Sequence, residues 1–319
     1  MHVLVTGSAG RVGRRVVPLL LARGDTVRGF DLRPLGLSHH GYGEVIGAFD
    51  DPDAVERAMR DAQAVLHLGA FMSWLPRDAA AVYTANATGT FHMLAAASKS
   101  RVARVVFAST GEVYPEVRAK YQPVDEAHPR EPTSVYGLSK LVAEEMVAFF
   151  HRAHGLPYVI LRFAHTQDAA ELLDAQSFFS GPRFYLHGKI RQQRELGNAE
   201  ALRVLEPLDD GRERHLVQCA PDGTPYRMMI ADARDIAQGV VLALDAPGAL
   251  NATLNLGPDE PIAFDRAVAL LQAKTGLAVV RARMPGAPVN YATSNGRARD
   301  LLGFRPRFTF AAMVDDAAR

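Results

Sequence analysis

HVLVTGSAGRVGRR, residues 2–15, passes from an apolar, β-branched run through a glycine-punctuated turn into a segment with helical spacing. HVLVT (2–6) has the composition of a strand buried on both faces, as the strands of a parallel sheet are. A T-G-x-x-G-x-x-G turn follows over Thr6–Gly13, and GRRVVPLLLARG (13–24) reads as the helix that it opens. Gly7 permits the tight turn, Gly10 lets backbone amides approach a pyrophosphate, and Gly13 allows close packing of helix on strand. The helix N-terminus adds N–H groups and the positive end of a dipole. Such a spacing also occurs in loops that bind nothing, but a strand before it and a helix after it are the context a dinucleotide site requires. Asp31 closes the next strand, TVRGF (26–30), where a carboxylate accepts hydrogen bonds from ribose hydroxyls and repels a 2′-phosphate. The cofactor read from these residues is NAD rather than NADP. Arg33, two residues on, is either a solvated surface arginine or a partner for such a phosphate.

Outward from this unit the pattern repeats. AVLHL (64–68), RVVFA (104–108) and YVILR (158–162) have strand composition, and AVERAMRDA (54–62), YTANATGTFHMLAAASKS (83–100) and YGLSKLVAEEMVAFFHRAHG (136–155) fit helices between them. Strand and helix in alternation predict an α/β fold, a doubly wound parallel sheet of Rossmann type, over residues 1–166. From about Gln167 the rhythm breaks. The remainder, 167–319, reads mainly as a smaller C-terminal substrate lobe, with about 225–257 returning to the sheet. DARDIAQGVVLAL (232–244) and FDRAVALLQAKTG (264–276) read as helices and ATLNLG (252–257) as a strand, while IRQQRELGNAEALR (190–203) reads as one surface helix with a solvated face.

Bulk properties narrow the function classes. Lys and Arg total 36 against 35 Asp and Glu, a net charge of +1, so neither a nucleic acid nor a membrane surface is an expected partner. A single cysteine, Cys219, cannot form a disulfide framework or by itself a metal site, and no metal is expected. No apolar run approaches the about 20 residues that a bilayer span needs. MHVLVTGS reads as a strand rather than a signal peptide. The expectation is a soluble, cytoplasmic protein.

SVYGLSKLVAEE (134–145) sets Tyr136 and Lys140 four residues apart, a spacing that solvated helix pairs share with catalytic ones. The order of motifs separates the two readings. With the glycine turn, Asp31, HLGA (67–70), Asn86, FAST (107–110) and Tyr136-x-x-x-Lys140 in succession, the chain resembles the extended short-chain dehydrogenase/reductase family, the NAD-dependent sugar epimerases and dehydratases. RMMIADARDIAQGVVLAL, LNATLNLGPDEPI and RARDLLGFRPR resemble that family's late segments, so the likeness covers essentially the whole chain.

The resemblance implies hydride transfer from a sugar hydroxyl. A secondary alcohol gives up a hydride only if its hydroxyl proton also leaves, which requires a base poised near neutral pH. Tyr136 takes that role, with the charges of Lys140 and of the oxidised nicotinamide favouring its phenolate. Thr110 matches the family's Ser/Thr that hydrogen-bonds the reacting oxygen, with Ser109 behind it, and Asn86 matches an asparagine that supports the site. The glycine turn and its flanks, Gly7, Ala9, Gly10, Arg11, Val12 and Gly13 with Asp31 and Leu32, fall to the cofactor. So do Phe49, Leu68, Gly69, Ala70, Asn86, Ser109, Tyr136, Lys140 and Phe163. STGEVY (109–114) resembles a stretch of sugar-nucleotide decarboxylases and dehydratases whose glutamate moves a second proton. Here that residue is Glu112. Gly111 stands where the dehydratases carry an aspartate acid, which disfavours elimination by such a pair, and Glu112 is a base, a hydroxyl-binding group or a solvated loop residue.

Other positions depart from the family's pattern. His165 stands where many relatives place a pocket asparagine, and it is either a pocket group or a packed histidine. RARMPGAP (281–288) puts Met284 and Ala287 where an Arg-x-Gly-Asp pattern usually lies. Arg227 matches an arginine that meets the diphosphate of a nucleotide sugar, with Arg281 or Arg283 as substitutes. Ala48 replaces an acidic residue that meets the adenine. Thr110, Glu112, His165 and Arg227 are thus the expected substrate contacts. Three functions remain open: a sugar epimerase, which comes first, a dehydrogenase of a free sugar or sugar acid, and a dinucleotide sensor without catalysis. A homodimer formed through the helices at 83–100 and 136–155 is implied by the resemblance.

Overall fold

The structure, a computed structural model, describes residues 1–115 and 117–319. β1 (His2–Thr6), α1 (Gly13–Ala22), β2 (Thr26–Asp31), β3 (Tyr42–Ile46), α2 (Pro52–Met59) and β4 (Ala64–His67) come first. α3 (Ala79–Tyr83), α4 (Gly89–Lys99), β5 (Arg104–Thr110), α5 (Val135–His154) and β6 (Tyr158–Phe163) follow. The rest of the chain supplies β7 (His165–Gln167), α6 (Ser180–Phe184), α7 (Leu186–Glu195), α8 (Ala199–Leu205), β8 (His215–Cys219), β9 (Arg227–Met228) and β10 (Ile230–Asp232). It ends with α9 (Ala233–Asp245), β11 (Ala252–Leu256), β12 (Ile262–Ala263), α10 (Phe264–Thr275), β13 (Val279–Arg283), α11 (Gly296–Leu302) and α12 (Phe310–Ala317).

Among the described residues, seven strands make one parallel sheet in the order β3, β2, β1, β4, β5, β6, β11. Both faces are covered across the centre of the sheet, which is why its inner strands read as unbroken apolar runs. Val3 and Val5 point to one face and pack with Val16, Val17 and Leu20 of α1 and Ile236 and Val240 of α9. Leu4 points to the other and shares a core with Val55 and Met59 of α2, Leu94 of α4 and Val147 of α5. The period of two along β1 therefore divides the cores. A separate core, including Leu186, Ile190, Leu205, Leu216, Phe264, Leu271 and Met313, holds the C-terminal elements. Because β1 lies between β2 and β4, the strand order reverses beside it, and ligands of open α/β sheets bind at the carboxyl ends there.

Several expectations are corrected. β3 was not anticipated: it is a half-exposed edge strand with no apolar run. Residues 190–203 form parts of two helices, broken at Gly197 with φ +66°, and bury Ile190, Gln193 and Ala201 rather than lying on a solvated surface. Within 225–257, β11 joins the sheet edge, whereas β9 pairs with β12 and β10 with β7. The helix read over 83–100 is interrupted by a π-turn at Thr84–Thr88. No helix among the described residues is long and apolar enough to cross a membrane.

Candidate active site

The backbone closes into a cradle at the carboxyl ends of β1 and β4. Gly7 has φ +67°, in the left-handed region that favours glycine, and a Cβ there would stand 2.6 Å from the Gly69 Cα. At Gly13 a Cβ would lie 2.1 Å from the Gly7 carbonyl oxygen. Among the described residues no side chain caps the N-terminus of α1, whose N–H groups face the cradle's glycine turn. Asp31 is fixed at the rim, accepting the Ala9 N–H at 3.1 Å and the Arg33 N–H at 3.3 Å. A cavity of about 1040 Å³ opens from the cradle, lined at one end by Asp31, Leu32 and Phe49 and at the other by Thr110, Glu112, Tyr136, Lys140 and His165.

A buried hydrogen-bond chain ties the cradle to the helices beneath it. The Gly69 N–H donates to Thr6 Oγ1 at 3.2 Å, and Thr6 Oγ1 lies 2.7 Å from His67 Nδ1. His67 Nε2 lies 3.0 Å from Thr90 Oγ1, whose hydroxyl donates to the Asn86 carbonyl at 2.5 Å. Thr90 is thus an acceptor toward the imidazole, which places the ring proton on Nε2 and leaves Nδ1 to accept from Thr6. Burial, aided by the charge of Lys140, pushes His67 down to about 3, so the ring is neutral at physiological pH.

Tyr136 stands in the first turn of α5. The helix is capped by Ser134, whose hydroxyl accepts the Gly137 N–H at 2.9 Å and donates to Glu112 Oε2 at 2.8 Å. Thr110 Oγ1 accepts the Glu112 N–H at 3.2 Å, and Thr110 and Tyr136 line the same cavity. Lys140, only 2% exposed, holds its ammonium 4.4 Å from the centre of the Phe107 ring. Burial pulls Lys140 down to about 7, against the opposing charge of Glu144. Burial and then the charge of Glu112 push the phenol well above its ordinary value, with the Thr110 hydrogen bond opposing them. Desolvation of the phenolate is the largest of these effects.

A family model described as NAD dependent epimerase/dehydratase matches residues 3–257. The chain belongs to that family. A crystal structure of a short-chain dehydrogenase/reductase superfamily protein from Agrobacterium tumefaciens, with bound NAD, is 50% identical with a TM-score of 0.94, covering 100% of this chain and 96% of that one. The uronate dehydrogenase of Pseudomonas syringae is 32% identical over 162 residues, 50% of this chain and 58% of that protein. The UDP-glucose 4-epimerase of Halalkalibacterium halodurans is 25% identical over 341 residues, covering 99% and 94%. The chain spans 55% and 58% of the length of two relatives that it matches at 35% and 32% identity.

NAD is the cofactor of the epimerase/dehydratase family, and the glycine cradle, which any Cβ at Gly7 or Gly13 would fill, fits a pyrophosphate. Gly7, Gly10, Arg11, Val12, Gly13, Asp31, Leu32, Phe49, Leu68, Gly69, Ala70, Ser109, Tyr136, Lys140 and Phe163 all line the cavity. Two of the anticipated contacts do not. The Ala9 N–H is taken by Asp31, and Asn86 is buried beneath the site, where it accepts the Phe71 N–H at 2.8 Å and donates to Ser139 Oγ at 3.1 Å. Ser109 lines the wall, but its hydroxyl donates to the buried Glu144 at 2.5 Å. Arg11 is likewise occupied, by Glu171 at 2.8 Å.

At the substrate end, Thr110, Glu112 and His165 line the cavity, and Arg183 lies 3.0 Å from His165 Nδ1. Arg227 does not line it. That residue is exposed on β9, which pairs with β12. Arg281 and Arg283 lie on β13, paired with β8. Sequence reasoning missed Trp74, Phe178 and Phe179, which wall this end, with Trp74 and Phe178 stacked at 5.3 Å. Aromatic residues in irregular loops carry no periodic signal, so only their contacts reveal them.

Proposed function

We propose that this chain is an NAD-dependent enzyme that oxidises a secondary hydroxyl of a free sugar or sugar acid. Tyr136 takes the hydroxyl proton, Thr110 holds the reacting oxygen, and Lys140 supplies positive charge beside them. Gly7, Gly10 and Gly13 with Asp31 would hold NAD, which when bound would supply the hydride acceptor. The observation that carries the reading is the substrate end of the cavity. Trp74, Phe178 and Phe179 wall it, while Arg227, Arg281 and Arg283, the candidates for gripping a diphosphate, lie outside its lining. A diphosphate is held by charge-assisted, bidentate contacts that an aromatic wall cannot supply. The likeness to a uronate dehydrogenase over half the chain supports a substrate without a nucleotide.

A second reading is a nucleotide-sugar epimerase, in which the oxidised sugar is reduced again on its other face. It is favoured by the likeness to a UDP-glucose 4-epimerase along 99% of the chain. Incubating the protein with NAD and a panel of free hexoses, hexuronates and UDP-sugars separates the two. Net NADH from a free sugar or uronate supports the dehydrogenase; an epimerised UDP-sugar with no net NADH overturns it. Phe91 on α4 and Phe149 on α5 are 47% and 49% exposed, which supports a homodimer formed through these helices.

A further inference from the structure

The loop after β4 carries the chain's single tryptophan to the catalytic cluster. Asn86 pins the loop at Phe71, through the Phe71 N–H at 2.8 Å and the Phe71 carbonyl at 2.9 Å. Ser73 pins it again, donating to Asp78 at 2.6 Å and accepting the Leu75 N–H at 3.2 Å. Between these anchors Trp74 reaches across 38 positions of sequence. Its indole N–H donates to the Glu112 carboxylate, 3.1 Å from Oε1 and 3.0 Å from Oε2. The ring itself is fixed by stacking: Phe178 lies parallel to it at 5.3 Å and Phe179 edge-on at 6.0 Å.

Glu112 is therefore held from two sides. Ser134, the cap of the helix that carries Tyr136 and Lys140, donates from one, and Trp74 from the other. The carboxylate lines the same cavity as the phenol and as Thr110, whose Oγ1 accepts the Glu112 backbone N–H. A carboxylate offers about four lone-pair sites, and donors placed on fixed elements decide where those sites point. Hydrogen bonds to charged groups are also the strong ones, so an indole donor locks the rotamer as well as satisfying it.

We propose that Trp74 is a positioning residue that holds the Glu112 carboxylate to accept a hydrogen bond from a substrate hydroxyl adjacent to the one that Tyr136 deprotonates. The site thereby selects substrates bearing two neighbouring hydroxyls. This rests on the reading of a free polyhydroxylated substrate given above, and it names how that substrate is recognised. No bond forms or breaks at Glu112.

The test pairs a signal that needs no substrate with one that does. Because there is one tryptophan, the protein labelled with ¹⁵N shows one indole N–H resonance. In Glu112→Gln that resonance should move and its hydrogen exchange quicken by roughly tenfold, the loss of one charged hydrogen bond. An unmoved resonance with unchanged exchange overturns the clamp. With D-glucuronate as probe, Trp74→Phe keeps the ring stack but removes the donor, and should lower kcat/KM by about tenfold or more with the Kd for NAD unchanged. Combined with Glu112→Gln it should cost no more than the worse single variant; multiplicative losses overturn the claim that Trp74 acts through Glu112. Replacing D-glucuronate by its analogues lacking one hydroxyl should identify a single adjacent hydroxyl whose loss costs wild type but not Glu112→Gln. Equal losses in both overturn the recognition of a second hydroxyl. If D-glucuronate is not turned over, the same variants and deoxy analogues are assayed on the free sugar or uronate that the panel identifies; turnover of none of these overturns the hydroxyl recognition together with the proposed function, while the resonance still decides the clamp.

Discussion

Acidification should destabilise this protein through one buried histidine. His67 has both ring nitrogens engaged, by Thr6 and by Thr90, and burial holds it down at about 3 against an ordinary value of 6.5. In the unfolded chain the imidazole takes a proton as pH falls through 6.5, while the folded protein takes none until about 3. The unfolded state therefore binds more protons across this window, and stability is lost as pH falls through it. A shift of this size amounts to about 5 kcal/mol in full, accumulating at about 1.4 kcal/mol per pH unit, so that about 2 kcal/mol is gone at pH 5. Carboxylates contribute to the same slope, so the comparison must be differential. His67→Gln keeps a donor and an acceptor but cannot titrate. Urea denaturation of both proteins from pH 7 to pH 4 reads the difference. The wild-type slope should exceed that of the variant by about 1.4 kcal/mol per pH unit below 6.5, less any residual protonation in the folded state. Parallel slopes would refute the neutral, doubly bonded imidazole and the tautomer that links it to Thr90 and Asn86.

Gly13→Ala would drive a Cβ to 2.1 Å from the Gly7 carbonyl, so the Kd for NAD, measured by calorimetry, should rise at least tenfold while the sheet still folds. Asp31→Ser removes the charge at the cavity rim and should narrow the preference for NAD over NADP by about tenfold or more, read by titrating both dinucleotides. Lys140 is held at about 7 from an ordinary 10.5, so below 7 the fold carries the full cost of a buried ammonium and regains stability as pH rises toward 10.5. Lys140→Met should abolish that rise, seen as a Tm that no longer climbs between pH 7 and pH 9.

The parts of the fold that were legible in the sequence are those where local chemistry and burial agree. β1 and the glycine turn could be read because both faces of the strand are apolar and the backbone at Gly7 and Gly13 excludes any Cβ. β3 could not, since an edge strand with one solvated face needs no apolar run. The helix at 83–100 looked continuous because all of its residues tolerate helix. Its π-turn reflects tertiary demands: Thr90 binds the Asn86 carbonyl, and Phe49 packs so near Gly89 that a Cβ there would meet it at 2.5 Å. At the site, Tyr136, Lys140 and Thr110 are signalled by the order of motifs that resembles the family, whereas the contact of Trp74 with Glu112 joins loops with no shared pattern. For Arg227 a motif gives only the residue's place in the chain; it is exposed on β9 and is not among the residues lining the cavity.

The central claim is that Tyr136 is the proton-transfer group for hydride transfer to NAD. It is tested most directly by Tyr136→Phe, assayed for NADH formation on whichever free sugar or uronate the panel identifies, with NAD affinity measured alongside. The phenylalanine keeps the buried ring in the first turn of α5 and loses only the hydroxyl. Turnover should fall by about 10²–10⁴, the usual range for loss of a general acid–base group, with the Kd for NAD changed by less than about threefold. Turnover within about threefold of wild type would contradict the account.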